Sequence, residues 1–387
     1  MAAYTTRSSI ACGPHAAHDG GRRLRAALVC AGALGASLAA AAQTDSDDTP
    51  AGLSIVWRVP GRKLERGVTG AALNAFSPDG RYVAIHDSLR VRVLDAKTGK
   101  TVRDFRLDPS SVSPFSLAVS SSATVAVGLM GNAEVFAPGQ DPVRHWCVGA
   151  CGALAAIAFS PDERYLAYQG TRGLPEWRNG LGGVISVVDL ARGVPVNLEA
   201  VASIAQVSFS ADGRSFYAMS ITEIDDRDTF GVRVWSTDDW RLTRSLAGSK
   251  RTLRRIAPLG TVSYAGVTMN AGNIEARDLA TDRVLWSMPL VPPELDGVGA
   301  APGAANLDLV EIAPNGRFVL SYEAPKAYDA TGCARGALVI RSAADGAVEA
   351  LYDAPRVSDV TIAPDSETFV YSTAAGQTYT AVARVPL

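Results

Sequence analysis

Residues Phe76–Lys100 read FSPDGRYVAIHDSLRVRVLDAKTGK, and this stretch decides the fold. A turn, Ser77-Pro78-Asp79-Gly80, stands between two apolar runs. Proline presets one φ and glycine supplies a positive one, which is what a tight reversal needs. A third strand-like run follows at Val91–Asp95, then a second turn, KTGK, and then an outer run, Thr101–Phe105. Four antiparallel runs joined by short turns make one blade of sheet.

The same punctuation returns in phase along the chain. It reads SPDE at Ser160, SADG at Ser210, APNG at Ala313 and APDS at Ala363, with weaker forms SSSA at Ser120 and APLG at Ala257. The intervals run from 40 to 56 residues, the spacing of propeller blades rather than of helical repeats. No segment sustains a helical period. Seven marks predict seven blades; six or eight stay open because the second and fifth marks are degenerate. The last blade lacks a fourth strand, whereas Ser54–Val59 precedes the first blade as a spare one. That spare strand is expected to complete the last blade and remove its open edge. The predicted fold is all-β: a seven-bladed β-propeller of four-stranded antiparallel blades over 53–387, with the ring closed by an N-terminal strand.

On these residues the repeat resembles the WD40-like and related bacterial propeller repeats over nearly the whole chain beyond residue 53. The Gly-His pair that opens many such blades is missing, and so is the Trp-Asp pair that closes them. Asp95, Asp189 and Asp278 stand alone near the closing position.

Upstream of residue 53 the texture differs. Gly20-Gly21-Arg22-Arg23-Leu24-Arg25 is basic, Ala26–Ala42 is apolar, and small residues end the run at Ala40-Ala41-Ala42. This is the layout of a secretory signal peptide, expected over 1–42 with cleavage near Ala42. The residues after Arg22-Arg23 fit a twin-arginine signal poorly, and Val29 before Cys30 argues against lipidation. QTDSDDTP over 43–50 is polar, and 43–52 is read as a disordered lead-in. Removing four arginines and one aspartate takes the net charge from -2 to about -5. No long run of like charge occurs, so a nucleic-acid surface is not expected. No later segment reaches about 18 continuous apolar residues, so no membrane span is expected after cleavage. The expected compartment is periplasmic or extracellular.

The marked turns are short, which leaves one face of the disc plain. The irregular segments gather on the other: 170–183, 220–230, 323–336 and the connection 291–305. Long segments on a rigid scaffold are where binding resides. Candidate partner-binding residues are Arg172, Trp177 and Arg178; Asp225, Asp226, Arg227 and Asp228; and Lys326 with Tyr328. Trp, Tyr and Arg suit the centre of an interface, although Trp177 folded back over its own loop is the plainer reading. The DDRD run lacks the spacing and glycine of a calcium loop and reads as a solvated acidic loop. Phe76, Phe159, Phe209, Trp235 and Trp286 fall at repeat-equivalent strand positions and read as core.

Cys147 and Cys151 are spaced for a local disulfide in an oxidising compartment, which leaves Cys333 over. After cleavage only His86 and His145 remain, so neither a zinc set nor a hydrolase triad is supplied, and no cofactor is expected. No Cys-x-x-Cys-His or Gly-x-Ser-x-Gly motif serves haem attachment or a nucleophile elbow. The expectation is a non-catalytic interaction module for a protein or peptide. Its rival is a lactonase- or glycan-active propeller using carboxylates and a metal near the central channel.

Overall fold

The computed structural model describes residues 50, 52–60, 73–87, 90–108, 114–146, 154, 156–173, 181–202, 204–224, 227–247, 253–259, 262–270, 272–291, 305–325, 336–373 and 379–386. The expected leader and nearly all of the lead-in lie outside them. Among the described residues every regular element is a strand, and there is no helix that could cross a membrane.

The strands form seven four-stranded antiparallel sheets arranged as a seven-bladed β-propeller. The first blade joins Leu73–Phe76, Tyr82–Asp87, Arg90–Asp95 and Thr101–Arg106 in sequence order. Blades two to six repeat this order, beginning at Ser116, Ala156, Ile204, Leu253 and Ala305. The seventh takes Val357–Ile362, Thr368–Thr373 and Tyr379–Arg384 from the end of the chain. Its outer strand is Ile55–Pro60, paired antiparallel with Tyr379–Arg384 from Ile55↔Ala383 to Pro60↔Tyr379. The ring is closed by the strand expected to close it.

Five of the seven marks form the same turn, and the mark at Ser120 forms a version one residue shorter. In the first blade Ser77 Oγ donates to Asp79 Oδ1 (2.7 Å), and that oxygen also accepts from the Arg81 N–H (3.1 Å). Ser77 Oγ itself accepts from Tyr82 N–H at 3.0 Å. Ser160 with Asp162 and Ser210 with Asp212 repeat the arrangement. This explains why Ser and Asp recur at a fixed offset: each satisfies backbone donors that the reversal leaves over. The seventh mark differs. At APLG the strand Leu253–Leu259 runs straight through Ala257, pairs Leu259 with Val262, and absorbs the extra residues in a bulge between Ala257 and Leu259. With no Ser or Asp to fold the turn early, the ladder continues as far as Leu259↔Val262.

Asp95, Asp189 and Asp278 have a comparable local task. Their Oδ1 atoms accept backbone N–H bonds from Thr98 (2.8 Å), Ala191 (3.1 Å) and Ala280 (2.8 Å), which caps the turn into the outer strand.

The core is a ring of layers between blades. Seven buried clusters each span two neighbouring blades, and together they cover all seven seams. Phe159 and Phe209, which end the inner strands, and Trp235 and Trp286 are buried as core residues. Their positions are not equivalent, however: Trp235 lies on a third strand and Trp286 on an outer one.

Two tryptophans repeat one device across a seam. Trp57, on the outer strand of blade seven, donates from Nε1 to the Ala96 carbonyl of blade one at 2.7 Å. Trp286, on the outer strand of blade five, donates to Ala343 of blade six at 2.9 Å. Each ring lies against the glycine of its neighbour's outer turn. A Cβ at Gly99 would meet Trp57 at 2.8 Å, and one at Gly346 would meet Trp286 at 2.6 Å. Gly99 also has a φ of 67°, so its position excludes a side chain twice over.

Arginines tie seams as well. Arg103 reaches from blade one to the Ala123, Phe136 and Ala137 carbonyls of blade two. Arg341, 2% exposed, holds the fully buried Glu323 at 3.1 Å and donates to the Pro289 carbonyl of blade five at 3.0 Å.

Candidate functional site

The inner strands surround a channel of about 640 Å³ on the propeller axis. Its wall is uneven in a way that the repeat makes plain. The residue two before each mark lines the channel in every blade. In blades one to four it is Ala75, Ala118, Ala158 or Ser208, all small. In blades five to seven it is Arg255, Glu311 or Thr361. Two positions earlier in blade seven stands Asp359, which also lines the channel. One arc is therefore cut back to open space, and the other carries charge.

The charged arc is ordered. Arg255 Nη2 lies 2.7 Å from Glu311 Oε2. Asp359 Oδ2 accepts the backbone N–H of Asn74, across the seam with blade one, at 2.5 Å. Thr361 Oγ1 donates to the Asn74 carbonyl at 3.4 Å. Ser372 Oγ donates to Asn74 Oδ1 at 2.9 Å and meets Thr380 Oγ1 at 2.7 Å. Asn74 is 7% exposed, and its Nδ2 has no hydrogen-bond partner.

Burial raises the pKa of Asp359 to about 7, and the repulsion of Glu311 adds to it against the pull of the Asn74 N–H. Burial also raises that of Glu311, while Arg255 opposes the rise. The sign of the linkage follows. A carboxyl whose folded pKa exceeds its unfolded one holds its proton longer in the native state, so it costs stability as pH rises. For Asp359 the loss begins near pH 4 and is complete just above pH 7. The stability gap between Asp359→Asn and wild type should widen in the variant's favour by about 3 kcal/mol from pH 5 to pH 8. Thermal melts at the two pH values check this, with an expected relative Tm gain of about 4 °C. A constant gap would place Asp359 in a solvated setting.

The sequence candidates map differently. Arg172 belongs to the strand Tyr165–Gly173, which pairs with Leu181–Asp189 as far as Gly173↔Leu181. Arg227 and Asp228 belong to Arg227–Ser236, which pairs with Ser215–Ile224 as far as Ile224↔Arg227. Residues 220–224 and 227–230 thus extend the hairpin ladder and are not an irregular loop. The cross-strand pairs Ile221↔Phe230 and Thr222↔Thr229 supply the β-branched and aromatic residues that favour a ladder there. Trp177, Arg178, Asp225, Asp226, Lys326, Tyr328 and the cysteines Cys147, Cys151 and Cys333 lie outside the described residues, as do 292–304. His86 is buried on a second strand and His145 sits on an outer one. Among the described residues no three His, Cys, Asp or Glu side chains are grouped to hold a metal ion.

Sequence reading missed Arg255, Glu311 and Asp359. Within one blade each is simply another residue of an alternating strand. Stacking the seven blades on their marks exposes Arg255 and Glu311 as the charged residues in a column that is small in blades one to four, and Asp359 as the one charge in the column two positions earlier. No known family model matches the chain, and neither does any curated protein.

Proposed function

We propose that this chain is an exported, non-catalytic β-propeller that binds a protein or peptide partner through its hairpin-bearing face. The observation that carries the reading is the pair of lengthened hairpins in adjacent blades three and four, both on that face. The opposite face is braced on itself. Ser122 donates to the Glu163 carboxylate, Arg81 to the Ser121 carbonyl, and Asn315 N–H to Ser366 Oγ, each across a seam. A face whose polar groups bond to each other offers few of them to a partner.

Within this proposal the contact residues are Arg172, Trp177, Arg178, Asp225, Asp226, Arg227, Asp228, Lys326 and Tyr328, and the repeat is placed with WD40-like propellers. The test is affinity capture from envelope extract with mass spectrometry of the retained chain. Wild type should hold one partner that the folded triple variant Trp177→Ala, Asp226→Ala, Tyr328→Ala loses. Equal capture by both proteins would move the contact off this face.

One observation favours a second reading, a propeller hydrolase. Glu311 and Asp359 sit together in the channel in different settings, one paired with Arg255 and one held by a backbone N–H. Carboxyl groups held apart in this way can divide acid and base roles. That reading predicts turnover on lactone or glycan panels that is abolished in Asp359→Asn. Wild-type protein inert on those panels rejects it.

A further inference from the structure

We propose that the channel captures the free amino terminus of a peptide, with Asp359 taking the α-ammonium and Asn74 Nδ2 donating to the first carbonyl oxygen. The inference rests on the peptide-binding reading above and names the chemistry that reading lacks.

Charge supplies the first argument. The arc holds two carboxylates and one guanidinium, and Arg255 is committed to Glu311 at 2.7 Å. Asp359 is left with backbone donors and only a weak pull from Arg255. A carboxylate in a confined wall is stabilised strongly by a cation that arrives with its own hydrogen-bond donors. An ammonium fits that description, and an anion does not.

Asn74 supplies a second, independent argument. It is more than nine-tenths buried, lines the channel beside Asp359, and has Nδ2 without an acceptor. A buried amide nitrogen in that state costs free energy until an acceptor arrives. The ligand should therefore offer a carbonyl close to its ammonium. A peptide amino terminus has that pairing built in, whereas a lysine side chain carries its ammonium on a long apolar stem.

Space and direction agree. Ala75, Ala118, Ala158 and Ser208 leave the facing arc open for a narrow chain. Asp359 lies four residues ahead of the Ala363 turn, about 13 Å along the strand from the braced rim, and so nearer the hairpin-bearing mouth. A partner seated on that face could feed its end into the channel.

The test measures binding of three probes by calorimetry: alanyl-alanyl-alanine amide, its Nα-acetylated form, and Nα-acetylated alanyl-lysyl-alanine amide. The free tripeptide should bind at least about tenfold more tightly than either capped one, the loss expected for one charge-assisted contact. Asp359→Asn should lose that preference. Arg255→Gln removes a cation that competes for the carboxylates of the arc and should tighten the free tripeptide, so a signed gain accompanies the loss. Ala158→Leu, which narrows the channel without touching a charge, should weaken it too. Equal binding of free and acetylated peptide, no binding of either, or equal binding of the capped lysine peptide overturns the inference. Partner capture on the hairpin face tests the parent reading separately. Capture without the tripeptide preference sinks only the inference, and tripeptide binding without capture sinks only the hairpin-face reading.

Discussion

Arg341→Met is expected to cost about 3–5 kcal/mol of stability, the penalty for stranding one member of a buried ion pair. The pair lies at the seam between blades five and six, where Arg341 and Glu323 are 2% and 0% exposed at the side chain. Glu323 would keep its donors from Ser321 Oγ (2.8 Å) and the Val291 N–H (2.5 Å) but lose its cation. The Pro289 and Gly346 carbonyls would lose a donor as well. Methionine fills most of the volume, so the loss reports charge more than cavity. Arg341→Met combined with Glu323→Gln removes the stranded charge and should recover more than half of the loss. Urea unfolding measures both variants. A single variant less than 1 kcal/mol below wild type would show that water reaches the pair.

The second large effect concerns Trp57. Truncating a buried tryptophan costs about 3–5 kcal/mol, and the bond to the Ala96 carbonyl is lost with it. Trp286→Ala should cost a similar amount, because it removes the same contact from another seam. The consequences should nevertheless differ. The outer strand that carries Trp286 follows the third strand of its own blade in the chain. The outer strand that carries Trp57 runs on in sequence into blade one and is held to the rest of blade seven by ladder bonds and packing alone. Loosening it bares the edge of Tyr379–Arg384, an open template for another chain. Trp57→Ala should therefore become sensitive to limited proteolysis near residues 53–60 and form larger species on size-exclusion chromatography, while Trp286→Ala stays monodisperse under native conditions. Identical behaviour of the two variants would falsify this account of closure.

How far the sequence could be read depended on whether a feature repeats. The Ser-Pro-Asp-Gly turn is written several times over, so the blade, its phase and the spare strand at Ser54–Val59 could all be recognised. Asp95, Asp189 and Asp278 are visible as a recurring position, although their turn-capping role shows only in the folded structure. Arg255, Glu311 and Asp359 escaped because each occurs once, and meaning comes only from the three blades meeting on an axis. The Trp57 contact was hidden for a related reason: Ala96 and Gly99 approach it through a seam that exists only when the ring is shut. The strand residues 220–224 and 227–230 read as a loop in the sequence because the acidic run Asp225–Asp228 outweighs the β-forming residues on either side.

The N–H of Arg384 donates to the carbonyl of Ser54 at 2.9 Å, so the propeller's first and last strands begin and finish side by side. The order of blades along the chain is then a matter of where the thread was cut rather than of how the ring is built. A short linker from Val385 to Leu53, with new ends opened at another blade-to-blade connection, yields a circular permutant with every seam intact. Such a permutant moves the non-covalent join to a seam of choice, and makes the strength of each seam a quantity that can be compared on one molecule.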